Sequence, residues 1–118
     1  MSGLGWSLPA ALGIGSPKEL VALVGGGGKT SLMLALAEEL PGRVVMTTTT
    51  RIFAAQTALA PAVCSAENLS QLSDLLDTYG RCLVIGPVQA DKSLGVDPAL
   101  PGRLLARTDV DFVVVEAD

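Results

Sequence analysis

The chain has 118 residues, 49% apolar and 17% charged; eight basic against twelve acidic side chains leave a net charge of −4, and histidine is absent. That length and apolar share describe one domain with a buried core rather than a disordered chain, and the negative balance opposes nonspecific nucleic-acid binding, so any phosphate recognition must be local. The commonest general base is missing, and two cysteines without CxxC spacing make no zinc site.

In chain order, "MSGLGWSLPAALGIGS" carries no positive charge before Lys18, and no apolar stretch reaches bilayer length. The expectation is a cytoplasmic protein without a membrane partner, whose first 16 residues, with a turn of helix near residues 8–12, pack on an edge. "ELVALV" is a short apolar run between Pro17 and glycines, the pattern of a buried strand. "KTSLMLALAEEL" places Leu32, Leu36 and Leu40 at i, i+4, i+8 beside Met33 and Ala37, which is helical spacing, and Pro41-Gly42 stops it. "RVVMTTTT" reads as a second strand, "RIFAAQTALAP" as one helical turn and then loop, and residues 62–64 as a short strand. Leu69, Leu72, Leu75 and Leu76 give residues 65–79 an amphipathic helix, capped by Ser65 and ended by Gly80. "RCLVIG" is another buried strand, with Cys82 a structural thiol. "PVQADKSLGVDP" reads as loop, "PALPGRLLAR" as a weak helix interrupted by Pro101-Gly102, and "DFVVVEAD" as a last strand. The alternation predicts a three-layer α/β/α domain with a mainly parallel sheet.

Gly25, Gly26, Gly27 and Gly28, followed by Lys29, Thr30 and Ser31, stand where the first strand turns into the first helix, the place in a parallel sheet where ligands bind. Free of side chains, the backbone N–H groups there can converge on an anion, and the helix adds about half a positive charge. Lys29 would reach terminal phosphates and the Thr30 hydroxyl would hold magnesium, the chemistry of a phosphate-binding loop. The strict pattern G-x-x-x-x-G-K-[ST] fails, because Leu23 stands where its first glycine belongs. What remains is G-x-x-G-K-T, resembling the abbreviated loop of the Mur ligases. The bland alternative is a flexible connection with a solvated lysine.

Two further groups fall at the same edge. Alternation puts Thr47 with Thr49 on one face of the second strand and Thr48 with Thr50 on the other. Thr49, Thr50 and Arg51 are then candidates for an anionic ligand, although threonine is also simply a good strand former. Glu116 and Asp118, after an apolar strand, can hold magnesium or position an attacking hydroxyl, or can merely cap a helix. Lys29, Glu116 and Asp118 are the catalytic candidates, and Thr30, Glu116 and Asp118 the metal candidates. The ligand expected is Mg-ATP or Mg-GTP, with no Asn-Lys-x-Asp motif to select guanine.

In this combination the chain resembles the YqeC-like proteins, accessory factors of selenium-dependent molybdenum hydroxylases. "VGGGGKT" at residues 24–30, "TTTTRIF" at 47–53, "GVDP" at 95–98 and "VEAD" at 115–118 carry the resemblance, in the family's order. It implies a P-loop NTPase-like fold, nucleotide binding, and a part in maturing a molybdenum hydroxylase or its cofactor. A non-catalytic module that holds a phosphate-bearing cofactor such as a molybdopterin nucleotide is the alternative, and a scaffold that binds nothing a third. Family members continue past "EAD" for a comparable length, so the domain is expected to be a fragment with an apolar sheet edge that a second copy could cover.

Overall fold

Strands apolar on both faces belong in the middle of a covered sheet, and the computed structural model, which describes residues 18–25 and 27–117, places them there. Its elements are β1 (Glu19–Leu23), α1 (Lys29–Glu39), β2 (Val44–Thr48), β3 (Ile52–Phe53), α2 (Ala54–Thr57), β4 (Val63–Ser65), a 3-10 turn (Leu69–Gln71), α3 (Leu72–Tyr79), β5 (Arg81–Ile85), β6 (Val88–Gln89), β7 (Lys92–Ser93), α4 (Leu100–Leu105) and β8 (Phe112–Glu116). Five strands form one sheet in the order β1-β8-β2-β5-β4, every neighbouring pair parallel. β2 and β8 are buried at every position.

Alternate side chains of these strands enter two separate cores. Val44, Met46, Leu83, Phe112 and Val114 face Met33, Leu36, Ala37 and Leu40 of α1 and its end. Val45, Cys82, Val84, Val113 and Val115 face Leu72 and Leu76 of α3 and Leu100 and Leu104 of α4. Helices thus cover both faces, as the α/β expectation required. Cys64 and Cys82 are both buried free thiols; burial raises the Cys64 thiol and pushes Cys82 up to about 12, consistent with structural roles. Among the described residues no helix is long and apolar enough to cross a membrane.

Several local expectations need correction. Leu32 lies on the outer side of α1, more than a third exposed, while Met33 and Ala37 complete the buried stripe. β2 ends at Thr48, so Thr49 and Thr50 lie beyond the strand. Ser65 belongs to β4 and its hydroxyl accepts from the Glu67 N–H, so it caps no helix, and α3 begins only at Leu72. The stretch after β5 is not plain loop: β6 and β7 form a hairpin that pairs antiparallel with β3 in a second, three-stranded sheet. Pro101-Gly102 does not interrupt α4, since proline in a first helical turn gives up no needed N–H. The expectations for residues 1–16, including the turn of helix, lie outside the described residues.

Candidate functional site

Register explains why one carboxylate meets the glycine loop. Glu116 pairs with Leu23, the last residue of β1, and with Thr48, the last residue of β2. Its side chain therefore leaves the sheet where the chain turns toward α1. The turn needs left-handed backbone at Gly25 (φ 107°) and Gly28 (φ 87°), where an added Cβ would meet nothing within 4 Å. Glycine stands there for conformation and not for want of space. Gly28 is the N-cap of α1 with no side-chain cap, and no acidic residue occupies the first turn, which leaves the helix's N–H groups and dipole facing outward.

A cleft of about 230 Å³ opens at this point, lined by Gly27, Gly28, Lys29, Thr30, Ser31, Arg51, Gln56 and Glu116. The Thr30 hydroxyl donates to the Glu116 carboxylate, 3.0 Å from Oε1 and 2.9 Å from Oε2. Glu116 is 8% exposed, a buried carboxylate with its hydrogen bond made. The Lys29 ammonium donates to the Ala117 carbonyl at 2.8 Å, which draws it over the carboxyl end of β8. Arg51, three residues beyond the end of β2, also lines the cleft.

The donor set suits a small hard cation. Two neighbouring ligands of an octahedral magnesium, each about 2.0–2.1 Å from the ion, lie about 2.9 Å apart, and the Thr30 and Glu116 oxygens already hold that separation. Among the described residues no group of three His, Cys, Asp or Glu side chains could hold a metal. Thr30 and Glu116 alone supply two of six positions, which fits an ion completed by phosphate oxygens and water.

Of the residues singled out by sequence, the structure brings Gly27, Gly28, Lys29, Thr30, Ser31, Arg51 and Glu116 into one cleft, while Gly25 shapes the turn behind it. Thr49 and Thr50 do not line it; Thr50 instead turns back on Thr48, its N–H donating to the Thr48 hydroxyl at 3.0 Å. Gly26 and Asp118 lie outside the described residues. Gln56 lines the cleft and sequence reasoning passed over it, because a four-residue helix shows no periodicity.

The family described as "YqeC protein" matches residues 21–118. A protein of Escherichia coli (strain K12), "Uncharacterized protein YqeC", is 30% identical over 110 residues, which cover 91% of this chain and 43% of that one. The chain therefore spans less than half the length of this relative. No solved structure matches.

Proposed function

The chain belongs to the YqeC family, and from that premise we propose that it is a P-loop nucleotide-binding domain that holds Mg-ATP or Mg-GTP by the phosphates. The observation that carries this reading is the Thr30 hydroxyl resting on the buried Glu116 carboxylate inside a glycine-lined cleft that also receives Lys29 and Arg51. In this reading the N–H groups of α1's first turn cradle the phosphates, Lys29 and Arg51 balance their charge, and Thr30 with Glu116 holds the ion. Magnesium bound there would neutralise charge building between the phosphates. Any phosphoryl chemistry would rest on positioning and electrostatics, with Lys29 the main contributor.

The cleft is smaller than the roughly 300–1,000 Å³ of pockets that enclose a whole ligand, which supports binding of the anionic end with the rest of the molecule outside. That same observation favours a second reading, capture of a phosphate-bearing cofactor such as a molybdopterin nucleotide without hydrolysis. Both fit the wider proposal that family members assist maturation of selenium-dependent molybdenum hydroxylases. Titration calorimetry with Mg-ATP and Mg-GTP tests the first: Lys29→Ala is expected to bind at least about tenfold more weakly, and equal affinity would overturn the reading. Steady phosphate release that disappears in Lys29→Ala would exclude the second.

A further inference from the structure

Gly95 stands 70 positions along the chain from Gly25, yet its backbone packs against Thr49 and Thr50, just ahead of Arg51. A Cβ placed on Gly95 would lie 2.1 Å from the Thr49 carbonyl oxygen, 2.2 Å from its carbon and 2.7 Å from the Thr50 nitrogen. All three are backbone atoms, which no rotamer change can move aside. Next to it, the Val96 N–H donates to the Thr48 carbonyl at 2.8 Å. From the opposite side, the Thr49 N–H donates to the Glu116 carbonyl at 3.0 Å. The peptide joining Thr48 to Thr49 is therefore held from both flanks.

Arg51 stands two residues beyond that peptide. The Thr50 N–H donates back to the Thr48 hydroxyl at 3.0 Å, and the two hydroxyls lie 2.9 Å apart, so the chain bends sharply. One residue past Arg51, Ile52 is 2% exposed and pairs with Ser93 of the β6–β7 hairpin. Arg51 thus projects into the cleft between two fixed points, both tied to the segment that contains Gly95.

We propose that Gly95 is a positioning residue for the anion site: its lack of a side chain lets the backbone lie flush on Thr49 and Thr50, and this fixes the bend that aims Arg51 at the bound phosphates. The proposal rests on the nucleotide-binding reading above. An alanine there must open the contact by more than about 1 Å to reach ordinary van der Waals distance. A misplacement of that size can cost on the order of a hundredfold where charge and geometry must coincide.

A double-mutant cycle decides the matter. Affinities of Mg-ATP and Mg-GTP are measured by calorimetry for the wild type, Gly95→Ala, Arg51→Ala, the double variant and Lys29→Ala, each checked by urea unfolding. Gly95→Ala and Arg51→Ala are each expected to weaken binding about tenfold or more, and the double variant to bind as Arg51→Ala does, within about twofold. A purely structural glycine would weaken binding by the same factor in both backgrounds, so additive losses, or an Arg51→Ala variant that binds normally, overturn the proposal. If Lys29→Ala also binds like the wild type, or the wild type binds neither nucleotide, the nucleotide reading itself fails and this proposal with it. If Gly95→Ala shows no cooperative unfolding, amide exchange on the wild type replaces it. Saturating nucleotide should then slow the Val96 N–H about tenfold, although Val96 does not line the cleft. An unchanged rate would sink the idea.

Discussion

Along the amino ends of the parallel strands, Lys18 donates to the carbonyls of Leu105, Arg107 and Val110, and Arg81 to those of Ala37, Glu38 and Leu40. Along the carboxyl ends, Lys29 and Arg51 line a cleft with a helix N-terminus and a buried carboxylate. The difference comes from which end of a helix each rim receives. α1 and α4 finish at the amino rim, where their last carbonyls lack intrahelical partners and attract cations. α1 starts at the carboxyl rim, where N–H groups repel cations and attract anions. The same residue type closes the structure at one rim and lines an open cleft at the other. Arg43 and Asp111 extend the closed rim: the Arg43 N–H donates to the Asp111 carboxylate, and its guanidinium pairs with Asp77.

The sharpest way to break this contrast is to exchange its effects. Lys29→Ala should lose about 2–5 kcal/mol of nucleotide binding while unfolding free energy in urea changes by less than about 1 kcal/mol. Arg81→Ala should do the reverse, losing about 2 kcal/mol of stability through three orphaned carbonyls with affinity unchanged within about twofold. If either variant shifts both quantities alike, the division between the rims does not hold.

Smaller effects sharpen it. Thr30→Val keeps shape and removes the hydroxyl from Glu116; the gain in nucleotide affinity that magnesium gives the wild type should shrink by about 1 kcal/mol, read from titrations with the metal and with chelator. Smallest is the Arg107–Asp109 pair at the closed rim, where two guanidinium hydrogen bonds at 2.8 and 2.9 Å hold the Asp109 carboxyl below its ordinary range. A lowered folded pKa stabilises above the unfolded value of about 3.9 and is lost as pH falls through the folded value. Asp109→Asn should therefore cost under about 1 kcal/mol at pH 7, since the pair is partly solvated, and the gap between variant and wild type should close toward pH 2–3. Urea midpoints at both pH values give the comparison, and a gap that widens in acid would refute the assignment.

The parts of the site carried by local pattern were readable from sequence. Gly28, Lys29 and Thr30 occupy a strand-to-helix junction that periodicity alone locates, and Glu116 ends a run of valines whose burial hydropathy makes plain. The parts carried by tertiary contact were not. β3, β6 and β7 have two residues each, too short for alternation to register, and what joins β3 to the local β6–β7 hairpin is the pairing of Ile52 with Ser93 and Phe53 with Lys92, far apart in the chain. Gly95 looked like loop because its close approach to Thr49 exists only once the hairpin folds back. The threonine run shows the intermediate case. Alternation placed Thr48 and Thr50 together and they are together, but through a side-chain turn beyond the strand and not through its pleat.

β8 is the last of the described strands along the chain, yet it lies between β1 and β2. A ribosome that has emitted the first hundred or so residues has therefore delivered two strands that cannot bond to each other, with a slot between them awaiting an insert not yet made. Long-range parallel pairing of this kind is slow and leaves unsatisfied edges open to strangers meanwhile. Closure of the slot brings Glu116 to Thr30 in the same event, so the nascent chain joins that hydroxyl to that carboxylate at the moment β8 enters the sheet and not before.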